Sequence, residues 1–316
     1  MIGNSVVLAA EFLQAGHLVG FPTETVYGLA GNALLESSVT QIFRVKNRPQ
    51  FDPLIVHTHS LESAKEYVEA LPTWAMSLAR HFWAGSLTLL LPKKKIIPDL
   101  VTSGSNLVAL RVPAHPIALE LLRLLPFPLA APSANPFGYI SPTTAQHVAD
   151  QLGREIPYIL DGGACSVGVE STIVGESDGK ITVFRKGGIS LEAIEAVVGK
   201  VAVTLHSSSN PQAPGMLKSH YAPSVPLVLG QIPELLQTFA TKRLGVLSFA
   251  QTYPQIAPEN QMVLSAKADL NEAAQNLFGA MRKLDQRPLD LIVAELLPEQ
   301  GLGRAINDRL RRAAAR

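Results

Sequence analysis

The apolar positions of this chain follow two spacings. Repeats at three and four residues predict helices over residues 6–16, 37–45, 60–71, 74–82, 117–125 and 143–152, with another N-capped by Ser190. Between them, short runs of β-branched and aliphatic residues predict strands at 17–22, 53–57, 86–91, 107–113, 127–130, 158–160, 168–174 and 181–185, several closed by proline or glycine. After residue 203 the texture changes. Residues 206–215 are dominated by Ser, Asn, Pro and Gly and read as a linker, with Lys218, His220 and Tyr221 immediately after it. From residue 225, strands at 226–229, 244–247, 262–264 and 289–294 alternate with helices at 233–240, 270–284 and 303–315, the pattern of a small Rossmann-like unit. The expected organisation is a first domain over 1–203, a linker over 204–224 able to fold across a site as a lid, and a second domain over 225–316.

Composition narrows the class. With 316 residues, 47% hydrophobic and 17% charged, the chain can bury the cores of two globular domains. Its 27 basic and 26 acidic residues leave a formal net charge of +1, so no global field draws it to nucleic acid or a membrane, and any polyanion contact must be local. Cys165 is the single cysteine, which excludes an intrachain disulfide framework and a multi-thiolate metal site and fits a reducing compartment. No apolar run reaches the ~18 residues of a membrane span, and residues 1–12 lack the regions of a signal peptide. A cytoplasmic protein is expected.

Candidate chemistry gathers where predicted strands end. The run from Ala131 through Ser133 and Asn135 to Ser141 breaks a buried strand into small hydroxyl and amide side chains ahead of a helix. Phosphate or carboxylate can be held at such a place, although the same residues are ordinary turn formers. Thr23, Glu24, Thr25 and Tyr27 suit a pocket wall, though Thr and Tyr also favour strands. Lys46 and Arg48 read either as partners of a helix dipole or as an anion clamp, with Arg48 gripping oxygens bidentately and Lys46 acting as a point charge. His57 is a satisfied strand-end histidine or a ligand contact. Arg111 is a lone charge in an apolar strand, and an inward position requires an anion there, either a carboxylate side chain or a ligand. The sequence has no Walker-type loop, no Cys/His cluster, no Gly-x-Ser-x-Gly elbow and no Gly-x-Gly-x-x-Gly fingerprint.

The combination is more specific than its parts. Pro22-Thr23-Glu24-Thr25-Val26-Tyr27-Gly28-Leu29, Lys46-x-Arg48-Pro49, Pro53-Leu54-Ile55-Val56-His57, Ser133-Ala134-Asn135, Gly168-Val169-Glu170-Ser171-Thr172 and His220-Tyr221-Ala222-Pro223 together closely resemble the Sua5/YrdC family. Residues up to about 203 resemble its YrdC-type catalytic domain. The remainder, including Gly301-Leu302-Gly303-Arg304-Ala305-Ile306-Asn307-Asp308-Arg309, resembles the Sua5-specific extension. The resemblance implies a twisted open α/β catalytic domain with a concave basic cavity, joined to the smaller Rossmann-like domain. It implies a nucleotidyltransferase that makes L-threonylcarbamoyl-AMP and pyrophosphate from L-threonine, bicarbonate and ATP, with Mg²⁺ accompanying the nucleotide. The product would pass to the tRNA threonylcarbamoyl-transfer machinery for the t6A modification, with no more than a weak or transient contact to tRNA itself.

Residue by residue, the resemblance implies that Thr25, His57, Arg111, Ala131 and Ser171 surround L-threonine, with Arg111 on its carboxylate. It implies that Arg48, Asp52, Leu107, Ser133, Ser141, Arg185 and Tyr221 line the nucleotide side. Lys46, Arg48, Ser133 and Asn135 then form the catalytic signature around phosphate or bicarbonate. Asp52 stands where many relatives carry Asn, and Leu107 where Thr is common. Asp52 would repel phosphate unless it holds Mg²⁺ or faces the ribose, and Leu107 offers only backbone groups.

Such a reaction demands positioning and charge neutralisation rather than an activated nucleophile, and its labile carbamate favours closure by the linker that carries His220 and Tyr221. Two rivals differ in class. A non-catalytic RNA-binding module of the same fold is disfavoured by the near-neutral charge and by the lack of aromatic platforms interleaved with Lys and Arg. A carbamoyl-adenylate enzyme of the hydrogenase-maturation type would carry accessory zinc-finger cysteines, which a single cysteine cannot supply.

Overall fold

Among residues 1–204 and 220–315, which this computed structural model describes, eleven strands form one mixed sheet and four form a second. Across the larger sheet the order is Ile2–Gly3, Tyr158–Leu160, Val19–Phe21, Gly28–Asn32, Leu129–Ala130, Ile55–His57, Leu107–Arg111, Leu87–Pro92, Thr172–Ser177, Lys180–Arg185 and Ala202–Val203. At its centre Ile55–His57 and Leu107–Arg111 run parallel, with His57 opposite Arg111 at their carboxyl ends. Period-two alternation then sorts the side chains. Val56, Leu89, Leu91, Val108, Leu110 and Val174 join a core with residues of the helices Glu36–Lys46, Thr73–Phe82 and Leu191–Val198. Ile55, Leu90, Leu107, Ala109 and Ile173 form a separate apolar floor on the opposite, concave face, to which His57 and Arg111 belong by the same period.

The predicted helix over 60–71 is a correction. Only Leu61–Ala64 is helical, capped by Ser60. Beyond it the chain is captured by the end of strand Leu87–Pro92, where Glu69 donates its N–H to the Pro92 carbonyl at 2.9 Å and Val68 bridges Lys93. Sheet pairing therefore overrides a helical pattern. Strand 168–174 is shifted to Thr172–Ser177, because residues 168–171 are held as a loop. Gly168 has φ +79°, and a Cβ there would lie 2.4 Å from the Ala274 carbonyl oxygen, so glycine alone permits the loop to approach the second domain.

The second domain has the expected Rossmann-like form. Strands Leu227–Leu229, Leu291–Ala294, Leu244–Ser248 and Gln261–Val263 are all parallel, in that spatial order. Helices Leu270–Asp285 and Gly303–Ala314 cover one face, and Ile232–Thr238 the other. Asp269 starts the long helix by accepting the N–H groups of Asn271 and Glu272. The core on that helix-covered face continues without a break into Val26, Ile140 and Val169 of the first domain. Polar contacts reinforce this seam: Arg282 donates to the carbonyls of Ile140 and Ser141 and to Gln151, while the Tyr139 hydroxyl donates to Asp285. The second domain thus holds the far end of the 131–141 loop.

Candidate active site

The concave face carries a recess of about 570 Å³, counted to its open mouth. It is lined in part by Thr25, Arg48, His57, Arg111, Ala131, Ser133, Glu170, Arg185, His220 and Tyr221.

Among the described residues, Arg111 is one of three arginines on the lining of the recess. Strand Leu107–Arg111 delivers it inward, and the carboxylate that offsets its burial is Glu24, which accepts from Nη2 at 2.6 Å. Arg111 Nε also donates to the Gly85 carbonyl at 3.2 Å. Glu24 accepts in addition from the Ala114 N–H at 3.1 Å and the Ser86 hydroxyl at 3.2 Å. Burial would raise the Glu24 pKa, but the charge and hydrogen bond of Arg111 outweigh it and keep the carboxyl below its ordinary value. Of the two anions that the sequence allowed for Arg111, a side chain is therefore present, and the guanidinium still borders the recess.

Beside it, burial and then the Arg111 charge push the His57 pKa down to about 3, so the ring is neutral at physiological pH. The unfolded chain takes up a proton on this histidine below about pH 6.5, whereas the folded protein refuses it, so its contribution to stability falls as pH drops through that window. In urea titrations, wild type should lose stability between about pH 6.5 and 4.5 more steeply than His57→Asn, by up to ~1.4 kcal/mol per pH unit. Parallel slopes in the two proteins would contradict the assignment of a neutral buried ring.

Arg48 and Arg185 line the same recess. Helix Glu36–Lys46 stops at Asn47, which adopts a left-handed conformation with φ 53° and swings Arg48 out of helical register toward the recess. Arg48 is held by the carbonyls of Asp52 and Pro53 and by an ion pair to the Asp52 carboxylate at 2.8 Å. Arg185 reaches the same space through a register shift between Val183 and Arg185, which brings the consecutive side chains Phe184 and Arg185 to the concave face. It donates to the Ser171 carbonyl and hydroxyl, each at 3.0 Å. Burial lowers the Arg185 pKa to about 10, leaving it charged at neutral pH.

The structure brings Thr25, His57, Arg111, Ala131, Arg48, Ser133, Arg185 and Tyr221 onto the lining of one recess. Six expected residues stand behind the lining. Ser171 bonds Thr88 and Arg185, Asp52 pairs with Arg48, and Ser141 donates to Glu170 at 2.6 Å. Leu107 belongs to the apolar floor. Lys46 donates from Nζ to the carbonyls of Ser133 and Asn135, both at 2.5 Å, and Asn135 spends its amide on the carbonyls of Pro136 and Tyr139. The sequence suggested Glu24 only as part of a pocket wall and gave Glu170 no role beyond its motif; a lone buried arginine was the available signal for an acidic partner. Of the expected lid, 205–219 lie outside the described residues. His220 and Tyr221 are among the residues lining the recess, with the His220 ring 5.6 Å from that of Phe137 and the Tyr221 ring 5.6 Å from that of Phe278.

Strand ends that converge on a basic recess, with a second domain packed against the loops beside it, define a two-domain α/β protein. The chain belongs to the Sua5/YciO/YrdC family: residues 11–187 match the family described as "Telomere recombination", and residues 189–315 match "Threonylcarbamoyl-AMP synthase, C-terminal domain". It is similar to the threonylcarbamoyl-AMP synthase of Pyrococcus abyssi, with 42% identity over 97% of this chain and 93% of that protein. Similarity to the Bacillus subtilis enzyme of the same name is 39%, over 98% and 92% of the two chains. The crystal structure of P. abyssi Sua5 complexed with L-threonine superposes with a TM-score of 0.94 at 40% identity, covering 99% of this chain and 97% of that one. The second family match begins within the first structural domain, since helix Leu191–Val198 and strand Ala202–Val203 pack on the larger sheet.

Proposed function

We propose that this chain condenses L-threonine and bicarbonate with ATP to give L-threonylcarbamoyl-AMP and pyrophosphate. The observation that carries the reading is that one recess is lined both by Arg111 with Thr25 and neutral His57, suited to an amino acid, and by the further arginines Arg48 and Arg185, suited to phosphates. Arg111, kept aligned by Glu24, offers charged donors to the threonine carboxylate, with Thr25 and neutral His57 beside it. Arg185 supplies positive charge beside a Glu170 carboxylate that Arg309 already offsets, and Arg48 adds a guanidinium whose charge is partly offset by its own ion pair to Asp52.

The threonine amine attacks the bicarbonate carbon and water leaves, giving a carbamate. A carbamate oxygen then attacks the α-phosphorus and pyrophosphate departs. Both steps are served by alignment and by cations fixed before charge develops, and neither requires a covalent enzyme intermediate. Threonylcarbamoyl-AMP is the activated group required for t6A formation, so we place the chain upstream of a tRNA threonylcarbamoyl transferase.

Mg²⁺ fits as a companion of the phosphates rather than as a protein-caged ion. Among the described residues no group of three His, Cys, Asp or Glu is placed to hold a metal, and the oxygens of Glu170 are engaged by Ser141 and Arg309. When bound, the ion would supply charge neutralisation on the phosphates. No helix among the described residues is long and apolar enough to cross a membrane.

The test is pyrophosphate release by the purified protein with ATP, Mg²⁺, L-threonine and bicarbonate. Release is expected to require both threonine and bicarbonate. Release that persists without either would sink the proposal, and steeply salt-dependent tRNA binding with no turnover would favour the RNA-binding reading.

A further inference from the structure

Glu170 presents a carboxylate to a recess that must accept a polyanion, and its partner comes from the other domain. The helix Gly303–Ala314 buries Arg309 completely, and Arg309 Nε donates to Glu170 Oε2 at 2.8 Å. The second Glu170 oxygen accepts from Ser141 at 2.6 Å. Arg309 is itself steadied through Nη1 by Asp308 at 2.7 Å, and its guanidinium lies 5.0 Å from the centre of the Tyr221 ring. Arg312 lies 4.7 Å from that ring centre. One residue of the second domain therefore touches two lining residues, Glu170 and Tyr221, without lining the recess itself.

We propose that Arg309 is a positioning residue for the nucleotide half of the site, acting by neutralising Glu170 and supporting Tyr221; this rests on the function proposed above. Without Arg309, the buried Glu170 carboxylate would repel phosphate and compete with it for Arg185, the other cation that acts on Glu170. The effect should fall on ATP and spare threonine, because Arg111 has its own carboxylate partner in Glu24. The second domain would thereby complete the site electrostatically.

A double-mutant cycle in the full-length protein tests this, reading threonine-dependent pyrophosphate release and the KM of each substrate. Arg309→Ala is expected to raise the KM for ATP at least about tenfold, the scale of one lost charged hydrogen bond, and the KM for threonine less than about threefold. With Glu170→Gln already present there is no charge to neutralise, so adding Arg309→Ala should change the KM for ATP by less than about threefold relative to Glu170→Gln alone. Arg309→Lys keeps the charge and should stay within about threefold of wild type; should Arg309→Ala fail to fold, Arg309→Lys in both backgrounds carries the test. Equal rises for both substrates, additive losses in the double variant, or a tenfold loss in Arg309→Lys that Glu170→Gln does not relieve would overturn the proposal. An inactive wild type would instead overturn the function reading.

Discussion

Arg111→Ala is expected to abolish threonine-dependent pyrophosphate release and to destabilise the fold by about 3–5 kcal/mol, the cost of leaving a buried charge without its partner. Arg111 is only 4% exposed, and Glu24 is buried against it at 2.6 Å. Removing the guanidinium strands that carboxylate with two weaker donors, the Ala114 N–H and the Ser86 hydroxyl, and releases the Gly85 carbonyl as well. The two losses separate in the double variant Arg111→Met/Glu24→Gln. Its packing is nearly retained and its buried charge is gone, so urea unfolding should show most of the stability restored while activity stays absent. Activity returning with stability would mean that Arg111 serves only to neutralise Glu24 and does not hold threonine.

Lys46→Met should be the second severe change. The Lys46 ammonium is 1% exposed and bridges the carbonyls of Ser133 and Asn135, pinning the loop whose residues Ala131 to Ser133 border the recess. Burial first, and then the nearby Arg48 charge, lowers its pKa well below the ordinary lysine value, so part of the gain from the two hydrogen bonds is offset by the cost of burying the cation. Methionine fills a similar volume but leaves the buried Asn135 carbonyl without its donor, at about 1–3 kcal/mol, while the Ser133 carbonyl keeps the Asn135 N–H at 3.0 Å. A loss of roughly 1–3 kcal/mol in urea unfolding is expected, with turnover down on the order of 10²-fold from misplacement of Ser133. A variant with wild-type stability and no turnover would show instead that Lys46 acts on the substrates directly, as the family signature implies.

These two residues also mark how far the sequence could be read. Arg111 was conspicuous because a single charge interrupts an alternating apolar strand, a pattern visible within seven residues. That its counter-ion is Glu24, 87 positions away, depends on how the wall after strand Val19–Phe21 folds back over strand Leu107–Arg111. Lys46 stood out as half of a Lys-x-Arg pair, yet a left-handed turn at Asn47 sends its neighbour Arg48 to the recess while its own amine points into the 133–135 loop. Local spacing cannot divide two cations between a site and its scaffold.

Taken by itself, the sequence determined what is local or motif-borne: the two α/β halves, the alternation that separates the apolar floor from the helix-facing core, and the family that owns the combined motifs. It did so because periodicity and turn chemistry act over a few residues. Only the tertiary structure decided which charges offset one another. The register shift that admits Arg185, the capture of residues 68–69 by the strand Leu87–Pro92, and the pairing of Glu170 with Arg309 across 139 residues all arise from contacts between distant segments. The energy of a buried charge depends on its neighbours in space, and those neighbours exist only once the sheet register and the domain seam are formed.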